Sequence, residues 1–65
     1  MNIKINGKDK EVKENITIME LLKSLNYSNW VGVWVNDNQL LQKEYEHYII
    51  KDNDEIRIIR PLGGG

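Results

Sequence analysis

Sixty-five residues suffice for one small domain, and a chain this short buries only about 60% of the surface its unfolded form exposes, so a second domain is excluded. Nine basic against ten acidic residues leave no positive surplus to neutralise phosphates, which argues against a nucleic-acid binder. The absence of cysteine removes disulfides, thiolate zinc sites and a cysteine nucleophile together, so the interior must hold itself by packing.

Ile3 and Ile5 alternate with Asn2 and Lys4, which puts both isoleucines on one face of a strand. Asn6-Gly7 follows at once. Both residues tolerate the positive φ of a tight primed turn, so Lys8 to Lys13 is expected to return antiparallel, with Val12 pointing inward. Ile16-Thr17-Ile18-Met19-Glu20-Leu21 then carries a helix start: Thr17 caps, Glu20 reaches back to it, and Ile16 and Leu21 occupy the staple positions. Ile18, Leu21, Leu22 and Leu25 recur at the spacing of one buried helical stripe, Glu20, Lys23 and Ser24 face water, and Asn26 is the left-handed stop.

Trp30 to Val35 is dense in β-formers and alternates. The valines Val31, Val33 and Val35 are read as inward, which leaves Trp30, Gly32 and Trp34 on the other face. Asn36-Asp37-Asn38 turns the chain, Leu40-Leu41 reads as a short strand, and Gln42 to Tyr48 as one helical turn before an irregular crossing. After Ile49-Ile50 comes the turn cluster Lys51-Asp52-Asn53-Asp54. Ile56 and Ile58 then alternate through a last strand that Pro61 ends, because proline lacks an N–H.

The order is hairpin, helix, strand, short strand, final strand. One apolar helical stripe must therefore lie across one face of a mixed sheet, which makes an α+β fold. The expected architecture is a β-grasp: a mixed four- to five-stranded sheet with one main helix packed across one face. Residues 1–62 would form the domain and residues 63–65 a flexible glycine tail.

Catalytic constellations are nearly absent. His47 has no serine, cysteine or carboxylate partner at a recognisable spacing and reads as a surface group. Asp52 and Asp54 lack the glycine and the final glutamate of a calcium loop, so they read as a solvated turn, and no metal is expected. The longest apolar run, Trp30 to Val35, is far too short to span a bilayer, and Met1-Asn2-Ile3-Lys4 lacks the layout of a signal peptide. A cytoplasmic protein with no membrane partner is expected.

The informative feature is Arg60-Pro61-Leu62-Gly63-Gly64-Gly65. Three glycines cannot pack a core, and their ordering entropy is the largest of any residue, so the run is expected to stay a flexible thread unless a partner grips it extended. Its chemical virtue is thinness. Without Cβ atoms the thread can enter a narrow channel and present its carboxylate to an activating centre. The plainer reading is a frayed end or a linker remnant, but strand, proline, one apolar residue and glycines form a graded passage from rigid to flexible.

On these residues the chain resembles the sulfur-carrier proteins of thiamin biosynthesis, the ThiS type, within the ubiquitin-like group that also holds the molybdopterin sulfur carrier. The matching stretches are Ile3-Lys4-Ile5-Asn6-Gly7-Lys8, Thr17-Ile18-Met19-Glu20-Leu21-Leu22, Val33-Trp34-Val35-Asn36, Ile50-Lys51-Asp52-Asn53-Asp54-Glu55-Ile56 and the terminal Gly64-Gly65. Two departures are visible. Asn53 stands where the family usually has glycine, a change its tolerance of the left-handed conformation permits, and Trp34 is bulkier than the small residue common there.

The resemblance implies a carrier and not an enzyme. Gly65 would be adenylated by an E1-like adenylating enzyme that consumes ATP, then thiocarboxylated with sulfur from a persulfide donor, and thiazole synthase would receive that sulfur. No cofactor would be bound, and the free carrier is expected to be a monomer. Gly63 and Gly64 would thread into the partner, beside Pro61 and Leu62 as anchors. The sheet face opposite the helix, with Trp34 and Ile59, would dock, and Arg60 would make a charge contact. Trp30 and Trp34 read equally well as cover for the rim of a small core. The rival functions are a molybdopterin-synthase-type sulfur carrier and a ubiquitin-like binding module with no sulfur chemistry.

Overall fold

The computed structural model describes residues 1–28 and 30–60. The five strands are β1 (Asn2–Ile5), β2 (Lys8–Glu11), β3 (Gly32–Val35), β4 (Asn38–Gln39) and β5 (Glu55–Ile59), with one α-helix, α1 (Ile18–Ser24), between β2 and β3. They form one sheet in the order β2-β1-β5-β3-β4. β1 runs parallel to β5, and every other pair is antiparallel. This mixed sheet with its single helix is the expected ubiquitin-like β-grasp. It places the last strand at the centre, between the first strand and the third.

Turn chemistry accounts for both hairpins. Asn6 and Gly7 take φ of 50° and 83°, and Asn36 and Asp37 take 50° and 70°, the doubly positive pattern of a two-residue primed turn. The second turn is therefore shorter than Asn36-Asp37-Asn38. Asn38 already pairs with Val35, so the short strand is Asn38–Gln39 and not Leu40-Leu41. Leu40 still donates its N–H to the Val33 carbonyl at 2.9 Å, while Leu41 starts a 3-10 turn over Gln42–Glu44.

The first return strand also stops early, at Glu11 rather than Lys13. Val12 exchanges backbone bonds with Met1 and packs half-buried on the core, and the chain then turns through Asn15 at φ 63°. β3 likewise begins at Gly32, two residues later than the β-former pattern indicates. Trp30 lies in a turn, where its N–H donates to the Ser28 hydroxyl, and Val31 is buried just ahead of the strand.

The capping box forms as read. The Glu20 N–H donates to the Thr17 hydroxyl at 3.2 Å, and the Thr17 N–H donates to Glu20 Oε1 at 3.0 Å. That backbone hydrogen bond, with Lys13 nearby, holds the Glu20 carboxyl below its ordinary range. At the other end Asn26 takes φ 62° and stops the helix.

Ile18, Leu21 and Leu22 are fully buried against Ile3, Val33, Val35, Ile56 and Ile58 of the sheet, each side chain worth about 1.5–3 kcal/mol of burial. Tyr45 completes the core. It is 2% exposed and donates its hydroxyl to the Val31 carbonyl at 2.8 Å, a role invisible in the ambiguous Gln42–Tyr48 stretch.

Candidate functional site

The site of interest is the end of β5, where the chain heads toward the glycines. Pro61, Leu62, Gly63, Gly64 and Gly65 lie outside the described residues, so the structure bears on the platform that carries them. β5 is held on both sides. Toward β3, Ile59 pairs with Gly32, Ile58 with Val33, Arg57 with Trp34 and Ile56 with Val35. Toward β1, Ile56 pairs with Ile5 and its carbonyl accepts from the Asn6 N–H at 2.9 Å.

Past that point β1 has turned away, and a side chain takes over. Asn6 Oδ1 accepts the Ile58 N–H at 2.9 Å, and Asn6 Nδ2 donates to the Ile58 carbonyl at 3.3 Å. The amide thus occupies the place of a further peptide unit of β1. Sequence reasoning assigned Asn6 to its turn and to nothing else. The available signal was chemical: among common turn residues asparagine carries a side-chain amide, whose separate N–H donor and carbonyl acceptor match those of a peptide unit.

Strand alternation divides the residues of β5 between two faces. Ile56 and Ile58 point to the helix, so Trp34, Arg57 and Ile59 share the outer face, as expected for Trp34 and Ile59. Ile59 is 50% exposed, whereas Trp34 is half-buried, its ring resting on the bare backbone of Gly32. This outer face is graded. Gly32, Trp34 and Ile59 make it apolar at the end where β5 finishes, and Arg57 paired with Asp37 at 3.0 Å makes it charged farther back.

Trp30 is 76% exposed and so covers none of the core, which removes the rim reading for that residue. Arg60 is exposed, and its guanidinium sits 4.9 Å from the centroid of the Tyr27 ring, a cation–π stack. Tyr27 packs half-buried on the core, and its N–H is bonded to the Leu22 carbonyl at 2.9 Å.

The chemistry-bearing residues are dispersed. His47 is exposed, as expected of a surface group. Asp54 corrects the solvated-turn reading: it is 7% exposed, and its carboxylate accepts the Lys51 N–H at 2.9 Å and the Asn36 side-chain amide at 3.0 Å. Its work is to organise the turn into β5. Among the described residues no group of three or more His, Cys, Asp or Glu is placed to hold a metal ion, and no helix is long and apolar enough to cross a membrane.

A fold that delivers its central strand to a glycine-rich end narrows the comparison, and the model of the ThiS family matches residues 3–65. The chain belongs to the ThiS family. A crystal structure of a thiamine biosynthesis protein, ThiS, from Geobacter metallireducens is 30% identical, with each chain covered in full and a TM-score of 0.87. A solution structure of a thiamine biosynthesis protein from the same organism is also 30% identical; it superposes over this whole chain and 88% of the other with a TM-score of 0.81. No curated protein sequence matches. The ThiS match runs through every residue singled out at the end of β5 and on to Gly65.

Proposed function

We propose that this ThiS-family protein is the sulfur carrier for thiazole formation in thiamin biosynthesis, acting as a protein substrate and not as an enzyme. The observation that carries the reading is the family match through Gly65 on a fold whose central strand, β5, ends at Ile59, a few residues before the glycines in sequence.

The chemistry follows from the terminus. A carboxylate is a poor electrophile until one oxygen leaves as part of a good leaving group. The Gly65 carboxylate attacks the α-phosphate of ATP held by an E1-like adenylating enzyme and pyrophosphate departs. The outer sulfur of a persulfide donor then displaces AMP to give an acyl disulfide, and a thiol cleaves its S–S bond, leaving the thiocarboxylate and a disulfide on the donor side. The thiocarboxylate sulfur is a softer nucleophile than the oxygen it replaced, and thiazole synthase consumes it. No step asks this chain for an acid, a base or a bound cofactor. Gly63 and Gly64 pass through the partner's channel because nothing projects from them. Pro61 and Leu62 rest at its mouth, and the apolar outer face of Trp34 and Ile59 docks with Arg60 beside it. In the cytoplasm the free carrier is a monomer that meets these partners in turn.

The test is intact-mass measurement. After incubation with the adenylating enzyme, ATP, a persulfide donor and a thiol reductant, the mass rises by the difference between sulfur and oxygen, and the change maps to Gly65. A variant lacking Gly65, or carrying a residue after it, stays unchanged while its thermal unfolding is unaffected. An unaltered wild-type mass, under conditions that convert a known carrier, leaves the ubiquitin-like binding module as the better reading. Sulfur delivery to a molybdopterin synthase but not to thiazole synthase assigns the carrier to that pathway instead.

A further inference from the structure

We propose that Asn6 and Tyr27 are positioning residues that hold β5 on either side of Ile59 and thereby set the direction in which the chain beyond Arg60 leaves the domain. The inference deepens the carrier reading and rests on it.

Neighbouring residues of a strand turn their backbone groups to opposite sides, and along β5 the groups of Ile58 face β1. β1 ends at Ile5, and the chain reverses through Asn6-Gly7, so its backbone has no peptide unit left to meet them. Asn6 supplies the missing unit from its side chain, taking the Ile58 N–H at 2.9 Å and giving a bond to the Ile58 carbonyl at 3.3 Å. A turn at this position needs only a positive φ, which glycine or aspartate would satisfy. Neither would bond both groups of Ile58. The amide therefore serves β5 as well as the turn.

Two residues later the hold is on a side chain. The Arg60 guanidinium stacks on Tyr27, whose ring packs on the core and whose N–H is tied to the last turn of α1. Ile59, with Gly32 as its register partner, lies between a clamp on the backbone of Ile58 from the first hairpin and a clamp on the side chain of Arg60 from the segment after α1. Once a partner grips the glycines in an extended form, an error at their base carries to their tip, and misplacing a reacting atom by about 1 Å can cost about 100-fold in rate.

The measurement is carrier-dependent ATP–pyrophosphate exchange by the adenylating enzyme, with kcat and KM taken separately well below the unfolding temperature, alongside hydrogen exchange at the Ile58 amide. Asn6→Gly keeps the positive φ and removes both bonds; it should speed Ile58 exchange and lower kcat about tenfold with a smaller change in KM. Asn6→Asp keeps the acceptor alone and should fall between it and wild type. Tyr27→Ala should lower kcat, and Tyr27→Phe, which keeps the ring face, should restore it. Fast Ile58 exchange in Asn6→Gly with wild-type kcat and KM would overturn the inference, and should that variant fail to fold, wild-type kinetics in Asn6→Asp would do the same. If the wild-type protein itself supports no exchange, the carrier reading fails and takes this inference with it; active wild type with indifferent variants removes the positioning role alone.

Discussion

The indole of Trp34 lies over Gly32 so closely that a Cβ built on Gly32 would stand 2.8 Å from ring atom Cζ3 and 3.1 Å from Cη2. The glycine is a seat. Without it the largest side chain of the outer face would stand away from the sheet instead of flattening against the strand that pairs with β5.

Gly32→Ala should therefore unseat the indole without breaking the fold, because the obstructed atoms are the far end of a side chain and Gly32 has no positive φ to defend. Stability should change by no more than about 1 kcal/mol. In a Trp30→Phe background, which leaves one tryptophan to report, the emission should move to the red. Trp34→Ala should retain cooperative unfolding and weaken binding to the adenylating enzyme, as measured by titration calorimetry. Loss of folding with no binding defect would refute the assignment of this face.

Tyr45→Phe removes one hydroxyl from a fully buried side chain and leaves the Val31 carbonyl without that bond. The expected loss is about 1–3 kcal/mol, read from urea unfolding. The same substitution should change the alkaline limb of the stability profile. Burial pushes the Tyr45 phenol up, and burial with the negative charges of Asp54 and Glu44 pushes Tyr48 up. The unfolded chain releases these protons near pH 10 while the folded chain keeps them, so stability is full below about pH 10 and falls above it. In Tyr45→Phe that fall should be shallower.

Asp54→Ala should destabilise more than Asp52→Ala. Asp54 joins the turn at Lys51 to Asn36, and Asn36 Oδ1 in turn accepts the Glu55 N–H at 2.9 Å, so one buried carboxylate ties the second hairpin to the start of β5. Removing it leaves two part-buried donors, the Lys51 N–H and the Asn36 amide, without that acceptor, at a cost of about 1 kcal/mol. Asp52 is exposed and accepts the Asn2 N–H from the surface. Paired denaturation curves decide the order.

What the amino-acid order alone determined was local and periodic. The capping box of Thr17 and Glu20, the left-handed stop at Asn26, the inward valines of β3 and the inward isoleucines of β5 all follow from spacing between near neighbours, and near neighbours are what a linear reading sees. Family membership was equally legible, and the family model matches from residue 3 through Gly65. Tertiary structure decided everything that depends on distant residues sharing a place. A turn asparagine at position 6 became the partner of a strand residue at 58, Asp54 became buried because Asn36 came to meet it, Trp30 and Val31 dropped out of β3, and Tyr45 found its acceptor across the core. The bonds of Asn6 to Ile58 close only after the parallel pairing of β1 with β5 has brought distant segments together. The Asn36–Asp54 bond needs β3 beside β5, and the Tyr45–Val31 bond needs a crossing of the core, and no local preference encodes those meetings.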